Sequence, residues 1–252
     1  MEKDNIKDII LKALLEEDNY EIRPMFQPIY ELSKNKLIGY EALCRIVKKN
    51  QDGTVEQIIY PNEFILFAER SLLIVEIDFL TIRKACQKLK EHGKDLFLFV
   101  NMSPKTILMI LNSDYLKAKF LELINNCGLN HKLFIEITER IEMTRIDKEF
   151  ESKLNQNGVF FVIDDFGAGH STYKYLVMLN APIVKIDGEF VKEIVNNDIC
   201  KGIVYGIAKM CKNLGKHVLA EFVENENIAK ELRKLGVKYA QGYYYGKPSF
   251  DI

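Results

Sequence analysis

Neither sign of charge dominates this sequence. Lys and Arg number 35 against 36 Asp and Glu, a formal net charge of −1. That leaves no field for non-specific attraction to DNA, RNA or an anionic membrane. A small anionic ligand would have to be caught by local charge. Clustered cysteines are also lacking. Cys44, Cys86, Cys127, Cys200 and Cys211 are scattered, odd in number and without C-x-x-C spacing. This argues against a disulfide framework or a zinc site, and for reduced, mostly packed thiols in a cytoplasmic protein. No apolar stretch is long enough to span a bilayer. The first residues, MEKDNIKD, are charged and carry none of the apolar core of a signal peptide. Repeats, low-complexity tracts and linkers are absent too.

What the chain does have is six short apolar runs that each end on a polar group. FLFV stops at Asn101, KLFI at Glu136, VFFVI at Asp164 and Asp165, PIV at Lys185, HVLA at Glu221, and KYA at Gln241. Continuous apolar runs of this length read as strands buried on both faces. They alternate with helical patterns, so the sheet is parallel, and in a closed barrel the site lies beyond the carboxyl ends of the strands. The 252 residues are close to the usual length of one (β/α)8 barrel, and 48% hydrophobic composition supports a sizeable core. A rim of carboxylates, one amide and one lysine is most simply a divalent-metal site.

The start of the chain departs from a regular repeat. Ile6 to Glu16 carries apolar residues at helical spacing. Arg23 to Tyr30 and Lys36 to Arg45 read as strands joined by Ser33-Lys34-Asn35, a turn too short for a helix, so they pair antiparallel. Lys48 to Val55, polar and containing Gly53, reads as a loop. Helices follow at Pro61 to Glu69 and Ile74 to His92, then near 113–126, 147–156, 171–178, 188–213 (broken near Asn196) and 226–235. The expected fold is α/β, a TIM-barrel-like (β/α)8 variant with its first strand antiparallel. Residues 1–252 are expected to form one domain, 1–20 a helical extension and 21–250 the barrel.

Further blocks complete a pattern. Glu41-Ala42-Leu43 lies in IGYEALCRI, Asn101-Met102-Ser103 follows FLFV, and IEITE spans Ile135 to Glu139. Asp164-Asp165-Phe166-Gly167-Ala168-Gly169 follows VFFVI. Lys185-Ile186-Asp187 precedes Phe190-Val191, Ala220-Glu221 precedes Val223-Glu224, and Gln241-Gly242-Tyr243 comes near the end. In this order the chain resembles the EAL-domain phosphodiesterases of cyclic di-GMP, from about Gln27 to Pro248. The resemblance implies hydrolysis of one phosphodiester of cyclic di-GMP to linear pGpG, using Mg²⁺ or Mn²⁺. It also implies a homodimer, and this chain could be one part of a longer protein with regulatory domains.

Phosphodiester hydrolysis needs a nucleophilic hydroxide and relief of charge on the phosphoryl and leaving oxygens, and two metals supply both. Hard divalent cations prefer oxygen ligands. The candidate ligands are Glu41, Asn101, Glu136, Asp164, Asp165 and Glu221. The five carboxylates among them would repel one another, and two divalent ions together with Lys185 would neutralise them. Each residue also has a plain reading: Glu41 as a partner of Arg45, Asn101 as a helix cap, Asp164-Asp165 as turn chemistry, Glu221 and Glu224 as solvated loop charges. The functional reading rests on all of them coinciding. In the family Lys185 holds or polarises the attacking water; a Schiff-base role would need a neutral amine, which a ring of carboxylates opposes. Lys185, Glu41, Glu139 and Glu224 are thus the catalytic candidates, with Glu139 anchoring the Asp165–Gly169 loop. Gln27, Leu43, Arg45, Asp187 and Gln241 are the substrate-binding candidates, Arg45 suiting a phosphate oxygen.

The chain departs from the family pattern at four places. Phe222 stands where glycine is usual, crowding the adjacent ligand or re-routing the loop. Gly188 replaces a frequent arginine, His170 a tyrosine, and Ser171-Thr172-Tyr173 a Ser-Ser-Leu. None of these removes a candidate ligand. The competing reading is a non-catalytic cyclic di-GMP receptor or protein-binding regulator on the same fold. A barrel enzyme acting on another phosphodiester ranks third.

Overall fold

The computed structural model describes residues 5–93, 95–128, 133–138, 147–167 and 173–252. The chain opens with α1 (Ile6–Leu15), β1 (Tyr20–Ile22), β2 (Met25–Glu31), β3 (Lys36–Leu43), β4 (Ile46–Lys49), β5 (Val55–Ile59), α2 (Pro61–Arg70) and α3 (Ile74–His92). Next come β6 (Phe97–Asn101), α4 (Pro104–Leu111), α5 (Asp114–Cys127), β7 (Leu133–Thr138), α6 (Lys148–Gln156), β8 (Val159–Phe166) and α7 (Tyr173–Met178). The last elements are β9 (Ile183–Ile186), α8 (Gly188–Lys192), α9 (Asp198–Asn213), β10 (His217–Ala220), α10 (Glu226–Lys234) and β11 (Tyr239–Gln241).

Eight strands close a barrel in the order β10-β11-β2-β3-β6-β7-β8-β9. β2 runs antiparallel to both neighbours, pairing Gln27 with Glu41 on one side and Ile29 with Gln241 on the other. The remaining pairings in the barrel are parallel. The reversed first strand follows from the three-residue turn, because a parallel crossover needs a dozen residues or more. The helix expected over 188–213 is broken as anticipated, into α8 and α9. No helix among the described residues is long and apolar enough to cross a membrane.

The barrel interior is filled by Ile29, Phe99, Phe134, Val162, Ile183, Leu219 and Tyr239. Phe99 and Phe134 stack with centroids 4.7 Å apart. Side chains two residues apart share a strand face. The next layer toward the carboxyl ends is therefore Asn101, Glu136, Asp164, Lys185, Glu221 and Gln241. In the reversed β2 that layer lies two residues earlier, at Gln27. The aromatic plug is the floor on which the candidate site stands.

Two expectations are corrected. The stretch Lys48 to Val55, read as a loop, has only its ends, Lys48-Lys49 and Val55, in the strands of a second sheet, in which β4 pairs with both β1 and β5. Only residues near Gly53 form its turn. These strands are short and polar on their exposed side, so no apolar run marks them. The cysteines, expected to be reduced, include one bonded pair: Cys86 on α3 and Cys127 at the end of α5, Cα atoms 5.3 Å apart and 41 residues apart in sequence. Packing of α3 against α5 brings them together, and linear spacing carries no trace of that. Cys44, Cys200 and Cys211 are free. Alkylation of the unfolded, unreduced protein should label these three cysteines by mass spectrometry, and labelling of all five would remove the bond.

Candidate functional site

Lys185 is the centre of the rim. It projects from β9 into the barrel mouth and is only 1% exposed. Its Nζ lies 2.8 Å from Glu221 Oε1, 2.9 Å from Glu136 Oε1, 3.3 Å from Asp164 Oδ1 and 3.7 Å from Glu41 Oε2. These four carboxylates come from, or directly follow, β10, β7, β8 and β3. Amides fix Glu41 from two sides: Asn101 Nδ2 donates to Oε1 at 2.6 Å and Gln241 Nε2 to Oε2 at 2.6 Å. Gln241 also donates to Gln27 Oε1 at 3.1 Å, and Gln27 donates to the Gly246 carbonyl at 3.2 Å. Asp78 of α3 accepts from the Ser103 N–H at 3.0 Å and pins the segment leaving Asn101.

Asp165 joins by a different device. Consecutive strand residues face opposite ways, yet Asp164, Asp165 and Glu221 each present a carboxylate oxygen within 4.8 Å of the others. The β8–β9 register slips between Ile163 and Phe166, and Asp165 adopts φ 55 in the left-handed region. Such an irregularity re-aims side chains at a barrel rim. The Asp165 N–H donates to Asp164 Oδ1 at 3.0 Å and holds the kink.

Charge is unbalanced here. Glu136 is pushed well above the usual carboxylate range by burial, then by Glu41, with Asp164 and Glu221 adding to it against Lys185. Burial also drives Glu221 up to about 8, with Asp164 and Glu41 adding to it against the pull of Lys185. For Glu41 burial acts upward too, but Lys185 and the amides of Gln241 and Asn101 prevail and hold it low. Lys185 is disfavoured as a cation by burial, yet Asp164, Glu136, Glu221 and Glu41 raise it well above the ordinary lysine range. Glu136 Oε2 is buried with no hydrogen-bond partner. An orphaned carboxylate oxygen, an all-oxygen donor set and surplus negative charge fit hard divalent cations.

The outer candidates are less tightly drawn in. Arg45, just beyond β3, is buried; its Nη1 donates to the Cys44 carbonyl at 2.7 Å, and its guanidinium stacks 5.0 Å from the centroid of Tyr60. Leu43 is half-buried at the end of β3. Asp187 follows β9 and caps α8, accepting from the Glu189 N–H at 2.7 Å. Glu224 is exposed in the loop after β10 and makes none of the ion pairs of the rim. Glu139, His170 and the stretch 168–172 lie outside the described residues. The sequence reading missed Tyr60, an aromatic beside Arg45 whose only signal was its place before a helix-opening proline.

Two departures from the family pattern prove to be one. Phe222 adopts φ 52, a left-handed conformation costly for a bulky side chain. Its ring lies against the α-carbon of Gly188, where any Cβ would collide with it, and Lys192 Nζ sits 4.0 Å from the ring centroid. Phenylalanine thus fills the space that a side chain at 188 would take. A Cβ on Gly242 would overlap the Val223 backbone, and that close approach clamps the segment after Glu221 onto β11. Gly188→Arg alone should destabilise by about 1–3 kcal/mol through overpacking. In the Phe222→Gly background the same change should be nearly neutral. Urea denaturation of the four proteins would give this coupling, and additive effects would refute it.

A closed barrel whose strand ends bring acids, amides and a lysine to one mouth defines an α/β-barrel protein with an acidic, lysine-centred mouth. The EAL domain family model matches residues 8–248, and the chain belongs to that family. It is 32% identical over 238 residues to the probable cyclic di-GMP phosphodiesterase PdeI of Escherichia coli, covering 89% of this chain and 28% of that protein. It is 34% identical over 231 residues to the cyclic di-GMP phosphodiesterase PdeB of Shewanella oneidensis, covering 88% of this chain and 26% of that protein. The chain thus spans less than a third of the length of these curated relatives. Among solved structures, the PaMucR phosphodiesterase in complex with c-di-GMP superposes with a TM-score of 0.78 at 28% identity, covering 97% of each chain.

Proposed function

We propose that this chain hydrolyses cyclic di-GMP to linear pGpG. The observation that carries the reading is the convergence of five carboxylates and Lys185 at one barrel mouth, four of them within 3.7 Å of its ammonium. With one ammonium among them, four negative charges remain, the number two divalent cations cancel. Glu41, Asn101, Glu136, Asp164, Asp165 and Glu221 would hold two ions, Mg²⁺ or Mn²⁺. Bound there, such ions acidify water and offset charge building on the phosphoryl group. Asn101 and Gln241 lock the Glu41 carboxylate in one orientation. Lys185, a full donor within the mouth, orients the attacking water. Water oxygen bonds to phosphorus, the 3′ oxygen leaves with a proton, and the ring opens. Arg45 would meet a phosphate oxygen, Leu43 an apolar face, and Gln27, Gln241 and Asp187 the nucleotide edges. Glu139 would anchor the loop beyond Asp165, and Glu224 would act from the loop after Glu221. A homodimer and partner domains in a longer protein belong to the same reading.

The experiment is incubation with cyclic di-GMP and Mg²⁺ or Mn²⁺, wild type beside Glu41→Ala. Linear product from the wild type alone is expected. Tight binding without product would overturn hydrolysis in favour of the receptor reading.

A further inference from the structure

The opposite pole of the barrel, where the parallel strands begin, carries a cavity of about 610 Å³. Six cationic side chains line it: Lys209 and Lys212 of α9, Lys216 before β10, Arg233 and Lys234 of α10, and Lys238 before β11. None of its lining residues is acidic. That concentration is anomalous in a chain whose net charge is −1. Crowded like charges repel, and an anion relieves them.

Part of the set is already occupied. Lys216 donates to the Ala181 carbonyl at 2.7 Å, Arg233 Nε to the Leu32 carbonyl at 2.9 Å, and Lys234 pairs with Glu231 at 2.9 Å. Lys238 donates to His217 Nε2 at 2.8 Å, so the imidazole is neutral and adds a ring rather than a charge. These bonds fix the walls. Lys209 and Lys212 have no carboxylate partner among the described residues, and their heads are exposed. Tyr205, Lys209 and Lys212 recur at helical spacing, so one face of α9 presents an aromatic ring, 53% exposed, beside two free ammonium groups.

We infer that this cavity is a binding site for a nucleoside polyphosphate, its phosphates held by Lys209 and Lys212 and its base laid against Tyr205. Its volume is that of a nucleotide-sized pocket. It shares no residue with the acidic mouth, and β10 and β11 run between the two: Lys216 and Lys238 precede these strands, while Glu221 and Gln241 stand at their far ends. The inference does not depend on the reaction proposed above.

Calorimetry with GTP and with inorganic tripolyphosphate, in EDTA so that the acidic mouth holds no cation to attract phosphate, tests it. Binding with Kd below about 100 µM is expected, weakening at least roughly tenfold in Lys209→Glu/Lys212→Glu. Both substitutions are on the surface, and a circular dichroism spectrum matching the wild type would establish that the variant is folded. A preference for GTP that Tyr205→Ala abolishes is expected; equal binding of both probes would overturn the nucleoside assignment. No heat with either probe at 1 mM, heat unchanged by the double substitution, or sedimentation with phosphatidylserine vesicles in place of triphosphate binding would overturn the site.

Discussion

Lys185→Met should lower kcat for cyclic di-GMP hydrolysis by about 10³-fold, within the range that losing one positioned donor or acid–base group commands. The side chain is nearly isosteric, so the barrel floor of Phe99 and Phe134 is undisturbed. The variant removes the one ammonium among Glu41, Glu136, Asp164 and Glu221. Breaking one side of a buried ionic cluster costs on the order of 3–5 kcal/mol, so the metal-free variant should melt well below the wild type. Mn²⁺ should then raise its melting temperature more than it raises that of the wild type, because more unbalanced charge is there to be relieved. Turnover should stay lost. That dissociation of stability from activity is what separates a lysine that orients water from one that merely holds acids apart. A variant that regains turnover when Mn²⁺ restores its stability would leave Lys185 only the structural role.

How much of this was readable beforehand follows from where each residue stands. FLFV, KLFI and VFFVI announce strands because both their faces are covered, one by the barrel floor and one by helices. Once the strands are placed, Asn101, Glu136, Asp164, Lys185, Glu221 and Gln241 fall on the inner face by the two-residue period alone. The reversed β2 was legible from the length of the Ser33–Asn35 turn. Asp165 was different. As the neighbour of Asp164 it should face away, and only the slip in register with its left-handed backbone turns it inward. Nothing in the pair of letters specifies that. The amide clamp on Glu41 joins residues 60 and 200 positions away and depends on barrel closure. The Cys86–Cys127 bond and the Phe222–Gly188 exchange are likewise contacts between elements. They are set by packing, and a one-dimensional pattern registers them as isolated oddities.

Without divalent cations the protein should grow less stable as pH rises from about 5 to about 8. Glu221 has its carboxyl raised by burial to about 8, and Glu136 is raised well above its ordinary value as well. In the unfolded chain both lose their protons near the ordinary glutamate value. Between that pH and the folded value the unfolded state binds fewer protons, so stability falls with pH. Glu221 alone sets an upper scale of about 5 kcal/mol, from 1.36 kcal/mol per unit. Lys185 does not offset the slope: its raised value contributes stability that is fully present below the ordinary lysine range, and so is constant across this window. Cations reverse the trend, because they need these carboxylates ionised and must displace their protons. The rise in melting temperature caused by Mn²⁺ should therefore be greater at pH 8 than at pH 5.5. At pH 7, calorimetry in two buffers of different ionisation enthalpy should show about one to two protons released per chain as cations bind. Equal heats in the two buffers, together with a metal-free melting temperature that climbs between pH 5 and 8, would mean the rim acids are already ionised. The raised carboxyls of Glu136 and Glu221 would then be no argument for a pair of ions.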